Sequence, residues 1–401
     1  MTEPVVLEPA EVWAYLVGRE LLPADASGVV REVGDGNMNR VFVAIPDDSA
    51  IAGLAVKQAP PWIQKLGPSA PMSPERALIE ARALRRFAEY APRQTPRVLD
   101  VDPPRFAFTM EDLSDLTVLR TALNDGAGLG RTSAEVGELV GRVTFATSVA
   151  GATPQARAAL LADSVNPLLA EVTLQYLLGD PFTTAEHNHH HPALNTALQK
   201  LRSDPAVRTE LATLRADFGG NAQALVHGDL HSGSVMVGVR KGEPVVRVID
   251  PEFAMVGPIG LDLGLYLANV VIAAVRAYAQ GDAERGNDHV LSIADCWDSF
   301  CAAWREGWPG RVDPLLDDGW LLRHLRGVWH DTLGYAAVEL VRRVAGYSHA
   351  SDLETLPDPG PASAVVLGLG HKLLVDREIC GSRPDPRALA HLVSTSWEAQ
   401  Q

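Results

Sequence analysis

Two segments of this chain hold carboxylates in settings where they could do chemistry. Val226-His227-Gly228-Asp229-Leu230-His231-Ser232-Gly233-Ser234 places Asp229 in a tight loop just after the apolar run Ala224-Leu225-Val226. A carboxylate so placed can accept the proton of an attacking hydroxyl, the task of the base in phosphoryl transfer. Further along, Val248-Ile249-Asp250-Pro251-Glu252 ends another β-prone run with two more carboxylates. Hard oxygen ligands of this kind suit magnesium, which commonly takes one or two carboxylates together with substrate phosphates. Either segment alone is weak, because an isolated His-Gly-Asp is commonly a turn whose Asp bonds nearby amides. Together, and in this order, they read as a phosphoryl-transfer centre.

The elements around these residues fit that chemistry. Val235-Met236-Val237-Gly238-Val239 and Val245-Val246-Arg247-Val248-Ile249 are β-prone and joined by Arg240-Lys241-Gly242-Glu243-Pro244, which predicts a hairpin. It would return Asp250 beside the start of the first strand, so that base and metal ligands converge. In protein kinases the catalytic loop ends in an Asn that helps hold metal, and Ser234 falls at that position. Upstream, Val29–Val33 and Arg40–Ala44 flank Gly34-Asp35-Gly36-Asn37-Met38-Asn39, where backbone amides could approach phosphate oxygens; the same residues also suit an ordinary hairpin turn. Lys57 follows the apolar run Leu54-Ala55-Val56, as the phosphate-pairing lysine of kinase folds does.

The next segment predicts a helix capped by Ser73 with Pro74 at its first position and a buried stripe of Ala77, Ala81, Leu84 and Ala88. Glu80 lies close to that stripe and needs a partner, either Lys57 or a local arginine, Arg76 or Arg85. Phe106-Ala107-Phe108-Thr109-Met110 then runs into Glu111-Asp112-Leu113. In a two-lobed kinase this is the hinge, where backbone groups of Glu111 and Leu113 meet adenine; a plain strand exit is the other reading.

At 401 residues the chain can build two substantial lobes, and its formal charge of −15 argues against a general nucleic-acid surface. The three cysteines, Cys296, Cys301 and Cys380, make neither a metal pattern nor a disulfide framework, which fits a reducing cytoplasm. Met1-Thr2-Glu3-Pro4 lacks the basic, apolar start of a signal peptide, and the apolar run Leu263–Val275 is too short to span a bilayer and reads as a core helix. His187-Asn188-His189-His190-His191-Pro192 lacks helical metal-ligand spacing and any obvious carboxylate partner beyond Glu186, so it reads as an exposed loop.

Taken together, Asp35–Asn39, Val56-Lys57-Gln58-Ala59, Met110–Ser114, Ala222–Ser234, Asp250-Pro251-Glu252-Phe253-Ala254 and Gly257–Gly264 resemble the bacterial 5-methylthioribose kinases, over most of the chain and in the expected order. Ser234, with Asp-Pro-Glu in place of the protein-kinase Asp-Phe-Gly, is the most discriminating part; related aminoglycoside phosphotransferases usually keep Asn there. The resemblance implies an α+β, two-lobed protein-kinase-like fold. Residues 1–113 would form a small antiparallel β-rich nucleotide-binding lobe ending in the hinge, and 114–401 a larger, mainly helical catalytic lobe. It implies ATP with Mg2+, transfer to the anomeric hydroxyl of a sugar, and a cytoplasmic homodimer.

Carried across residue by residue, Asp229 is implied as base and sugar contact. Asp250 and Glu252, with Ser234, are implied at the metal, and Lys57, with its partner Glu80, at the phosphates. Asn37 and Asn39 are implied at the nucleotide, and Glu111, Asp112 and Leu113 at adenine. Arg342 and Arg343, in Glu339-Leu340-Val341-Arg342-Arg343, are implied on the substrate side, although adjacent helical residues diverge and one of the two is expected to be solvated. The family's tryptophan-bearing loop is not matched by Leu66-Gly67-Pro68-Ser69-Ala70-Pro71-Met72, which leaves the 5-substituent open, with Trp62 a spatial substitute. Another 5-substituted ribose, an antibiotic, or a non-catalytic binding role are the competing readings.

Overall fold

The computed structural model describes residues 6–33, 38–349, 351–380 and 383–400. Met1–Pro4 and the glycine-rich stretch Gly34, Asp35, Gly36 and Asn37 lie outside the described residues. The chain forms two compact units, Met1–Thr117 with Gly238–Phe253, and Val118–Val237 with Ala254–Gln401. The first unit is therefore discontinuous in sequence: the segment that carries Asp250 and Glu252 belongs with the N-terminal residues.

Unit 1 is an antiparallel sheet with a helix on each face. Strands β1 (Gly28–Glu32), β2 (Arg40–Pro46), β3 (Leu54–Gln58), β4 (Val98–Asp102) and β5 (Ala107–Glu111) lie in the order β1-β2-β3-β5-β4. Helices α1 (Pro9–Gly18) and α2 (Arg76–Tyr90) cover the sheet. Side chains alternate along a strand, and β3 uses both faces. Leu54 and Val56 join Val12 and Leu16 of α1 with Phe42 and Ala44, whereas Ala55 packs with Ala77, Ala81 and Leu84 of α2, alongside Phe108 and Met110. Lys57 shares the parity of Ala55, so the alternation that buries Ala55 against α2 sends the ammonium the same way. Each large side chain enclosed in these clusters stabilises the unit by about 1.5–3 kcal/mol of apolar transfer.

Helix α2 begins at Arg76, two residues later than the first helical position expected at Pro74. Pro74 and Glu75 form a tight turn in which Ala77 N–H bonds Pro74 O, and Ser73 Oγ accepts from Glu75 N–H at 3.3 Å. The short strand β6 (Thr117–Val118) follows, β7 (Ala224–Val226) leads into the Asp229 loop, β8 (Val235–Arg240) and β9 (Glu243–Val248) form the hairpin, and β10 (Met255–Gly257) pairs antiparallel with β7. The hairpin is tighter than the five-residue connection expected. Lys241 and Gly242 both have positive φ, 54° and 84°, the signature of a two-residue turn whose twist matches the flanking strands.

Unit 2 is mainly helical: α3 (Leu119–Asn124), α4 (Thr132–Thr147), α5 (Pro154–Asp163), α6 (Pro167–Tyr176), α7 (Asn195–Ser203), α8 (Pro205–Gly220), α9 (Gly260–Ala279), α10 (Ala283–Gly307), α11 (Asp318–Ala345), α12 (Ser351–Glu354), α13 (Gly360–Val375) and α14 (Pro386–Glu398). At its centre, α9 packs against α11 with no room for a side chain at Gly264, where a Cβ would lie 2.6 Å from Tyr335 Cβ and 2.7 Å from Ala336 N. That close approach matters because both helices feed the site, α9 through Asp262 and Asn269 and α11 through Glu339, Arg342 and Arg343. Helix α9 is long and apolar enough to cross a membrane, yet its apolar window is buried within the unit, as the core-helix reading expects.

Candidate active site

Unit 1 gathers one cluster of charges around Lys57. Its ammonium, buried on β3, bonds Glu80 Oε1 of α2 at 2.8 Å and also the Asp250 carboxylate. Glu80 therefore lies within the buried stripe rather than beside it, and it pairs with the lysine; Arg76 goes elsewhere. Glu80 and Asp250 together set Lys57 against two carboxylates, and Glu252 adds a third nearby. Burial alone would lower the Lys57 pKa, but Asp250, Glu80 and Glu252 outweigh it and hold the ammonium firmly charged. Burial raises Glu80 instead, against the pull of Lys57 and with the Asp250 charge adding to the rise.

Glu252 is fixed by a clamp that the sequence did not reveal. Asn39 Nδ2 donates to Glu252 Oε2 at 2.9 Å, and Asn39 Oδ1 accepts from Arg76 Nε at 2.8 Å. Arg76 is itself buried, donating to the carbonyls of Met38, Ser73 and Trp62 at 2.8, 2.8 and 3.0 Å. Both ends of the Asn39 amide are thus engaged in holding the second carboxylate. Asp250 has φ of 63°, a left-handed backbone that Asp tolerates better than most residues, and its side chain is 44% exposed. Burial raises the Glu252 pKa, with Lys57 opposing and the Asp250 charge adding to the rise. Among the described residues, three carboxylates against two cations, and a buried Glu80 Oε2 with no hydrogen-bond partner, leave a surplus of hard anionic oxygen that fits a divalent cation.

The strand-end residues lie apart from this cluster. Glu111 Oε1 accepts from Arg97 N–H and Arg247 Nε, both at 3.2 Å, and Glu111 N–H donates to Arg97 O. Asp112 closes a turn on Ser114, accepting from its N–H and its hydroxyl at 2.8 Å each, and Leu113 is buried with its carbonyl bonded by Leu116 N–H. Trp62 meets Pro71 in a single β-bridge, so the stretch lacking the expected tryptophan is folded back onto it.

Unit 2 gathers a second cluster around Asp229. The loop that carries it is hung from α9: Asp262 accepts the N–H groups of His227 and Gly228 at 2.7 and 2.9 Å, and Gly228 takes a φ of 86° that favours glycine. Asp229 Oδ1 accepts from Arg342 at 3.4 Å, and Oδ2 lies 3.4 Å from His231 Nε2. Burial pushes the Asp229 carboxyl up, but His231, Arg342 and Arg343 outweigh it and hold it well below the usual carboxylate range. Ser234 donates its hydroxyl proton to Asp229 O at 3.0 Å, tying the end of the loop to its start.

Arg342 and Arg343 correct an expectation. Neither is solvated: Arg343 is buried and Arg342 largely so, and both pair with the fully buried Glu339, at 2.8 and 2.6 Å. Positions i+3 and i+4 flank position i on a helix, so two adjacent arginines that diverge from each other can still share one carboxylate. Burial and the neighbouring Arg342 charge bring Arg343 down to about 10, while Glu339, against its own burial, is held low by Arg342 and Arg343. Asn269 of α9 donates to Glu339 at 3.2 Å and accepts from Ser232 and Arg120, knitting α9, α11 and the loop together. Removing Glu339 leaves the buried Arg343 and the largely buried Arg342 short of a counter-ion. Glu339→Ala should lower stability by about 3–5 kcal/mol, measured as a shift in denaturant midpoint, with Glu339→Gln milder.

The histidine loop also gains carboxylates that its sequence does not advertise. His187 Nε2 bonds Asp180 at 2.8 Å, and His189 stacks on His349, whose Nδ1 lies 3.0 Å from Glu354. The other His349 nitrogen bonds His189 O at 2.8 Å, so the group serves as a hydrogen-bonded clasp between loops.

The clusters can be set beside known proteins. Residues 29–294 match the model of the phosphotransferase enzyme family. A methylthioribose kinase from Geobacillus kaustophilus is 35% identical over 371 residues, 90% of each chain. One from another Geobacillus species is 33% identical over 392 residues, 96% of this chain and 95% of that one. One from Pectobacterium atrosepticum is 35% identical over 358 residues, 86% of this chain and 87% of that one. An antiparallel β-rich unit and a mainly helical one give the α+β, protein-kinase-like fold that the motifs imply. With this similarity running nearly from end to end, the chain belongs to the phosphotransferase enzyme family and, within it, to the methylthioribose kinases.

Proposed function

We propose that this enzyme transfers the γ-phosphoryl group of ATP to the anomeric 1-hydroxyl of 5-methylthioribose, giving the 1-phosphate. One observation carries the reading: a carboxylate kept ionised by Arg342 and His231 stands in an Asp262-anchored loop, in a chain aligned along its length with methylthioribose kinases. In this reading Asp229 orients the acceptor hydroxyl and takes its proton, and Arg342 and Arg343 serve the sugar side. Lys57, held by Glu80, pairs with nucleotide phosphates; Asn37, Asn39 and the Glu111–Leu113 strand end complete the nucleotide side. Asp250 and Glu252, with Ser234 closing the loop, would hold magnesium, whose charge offsets that of the β- and γ-phosphates. Phosphoryl transfer of this kind is mostly positioning and charge stabilisation, which suits a site built from buried ion pairs.

A cytoplasmic homodimer is part of the same reading; the buried free thiols Cys296 and Cys301 suit a reducing compartment. The absence of an aromatic residue from Leu66–Met72 favours testing other 5-substituted riboses as well. The test is ATP consumption with methylthioribose, ribose, a 5-substituted ribose lacking sulfur, and an aminoglycoside. Preferential turnover of methylthioribose is expected. Turnover of the aminoglycoside alone would replace the substrate class, and no turnover of any acceptor would favour a binding protein.

A further inference from the structure

We propose that His231 is a positioning residue for Asp229, its imidazole fixed as the Nε2–H tautomer so that it steadies one carboxylate oxygen while Arg342 holds the other. The inference rests on the reading of Asp229 as the acceptor-side base. The tautomer follows from the backbone. Gly233 N–H, which can only donate, points at His231 Nδ1 at 2.9 Å, so Nδ1 is an acceptor and the ring proton sits on Nε2. That nitrogen lies 3.4 Å from Asp229 Oδ2, on the long side for a hydrogen bond, as contacts at catalytic groups often are before substrate arrives.

The ring position is fixed from several sides. A Cβ at residue 233 would come within 2.7 Å of His231 Cε1, so the turn that presents its N–H to the ring needs glycine. Ser234 Oγ, already bonded to Asp229 O, lies 3.3 Å from Nδ1. The charges facing the imidazole are Asp229 on its own loop, Arg120 of α3 and Arg343 of α11. With Nδ1 accepting from Gly233 N–H, that nitrogen carries no proton and the ring is neutral. A neutral donor restrains the carboxylate without neutralising it, which leaves Asp229 able to accept a proton. His231 and Arg342 thus restrain opposite oxygens, fixing the plane of the carboxylate.

Two substitutions separate this role from a merely structural one. His231→Asn places an oxygen near Nδ1, retains the bond from Gly233 N–H and loses the donor to Asp229; His231→Gln can place an N–H near the position of Nε2. With far-UV circular dichroism unchanged, His231→Asn should lower kcat about tenfold with both KM values within about threefold, since misplacing a reacting group costs rate more than binding. His231→Gln should recover at least half of that loss on a logarithmic scale. Equal losses in the two variants, or near wild-type kcat in His231→Asn, would overturn the proposal. Added to Asp229→Asn, His231→Asn should cost less than twofold more. If Asp229→Asn alone were nearly as active as wild type, the base reading would fail instead, and the two failures are thereby distinguished. Should His231→Asn not fold, ¹⁵N NMR of the wild-type imidazole decides: a protonated Nε2 supports the proposal and a protonated Nδ1 sinks it.

Discussion

Asp229→Asn lowers single-turnover phosphoryl transfer by at least about a hundredfold and leaves ATP affinity little changed, within the hundredfold to ten-thousandfold that a general base contributes. The substitution removes one negative charge from a group that His231 and Arg342 flank. Arg342 retains its 2.8 Å pair with Glu339, so the fold should survive. The depressed pKa of Asp229 makes the carboxylate a weak base, a deficit tempered by two features of the reaction. An anomeric hydroxyl is more acidic than an ordinary alcohol, and in a loose phosphoryl transfer the proton leaves late, so orientation counts for much of the effect. The depression also has a sign in stability. Asp229 is lowered relative to the unfolded chain, so its contribution is present above the ordinary carboxylate range and is lost as the pH falls through the folded value. Activity should accordingly show no acid limb from Asp229 between pH 5 and 7. Quench-flow measurement with methylthioribose checks the rate, and a variant within threefold of wild type would remove Asp229 from the chemistry.

Asp250→Asn is expected to cost at least about a hundredfold in turnover at limiting magnesium, with partial recovery as magnesium is raised, because a hard anionic ligand becomes a neutral one. The backbone should accept the change, since Asn is among the few residues at ease at the φ of 63° found here. Asp250→Ala carries a further left-handed penalty of about 1 kcal/mol, so comparing melting temperatures separates the lost ligand from the strained backbone. Lys57 loses one anion but keeps Glu80 at 2.8 Å, which should hold it charged and in place. A magnesium titration that leaves the midpoint where wild type has it would assign Asp250 to Lys57 alone.

How much of this was legible in the sequence depends on how far apart the partners lie. Lys57 and Glu80 were readable because each follows from a local period: two along β3, where Ala55 and Lys57 share a face, and i, i+4 along α2. The hairpin was readable from its β-branched flanks, though its two-residue turn was not. The clamp on Glu252 was not, because Asn39 meets it from 213 residues away and Arg76 both bonds Asn39 and lies 3.9 Å from the carboxylate itself. Arg342 and Arg343 were misjudged by treating helix faces as exclusive, when Glu339 can serve both neighbours of its own face. The His231 tautomer depends on a backbone N–H two residues on, which no residue type encodes. Asn37 lies outside the described residues, so the glycine-rich loop keeps both of its readings.

Because unit 1 is assembled from Met1–Thr117 and Gly238–Phe253, it cannot be completed in the order in which it is synthesised. When a ribosome has released the five strands of the sheet, Arg76 and Asn39 still lack Glu252, and Lys57 has Glu80 but not Asp250. At about 5–20 residues per second the missing hairpin follows only on the order of ten seconds later, after a long stretch of unit 2 has emerged. The N-terminal piece must wait during that interval with a buried arginine unpaired from its carboxylate and with Gln94 O not yet bonded by Val248 N–H. A fragment ending at Thr117 is consequently a poor stand-in for the nucleotide-handling unit, and gene truncation or domain-swap experiments on this enzyme need to carry the 238–253 hairpin with it.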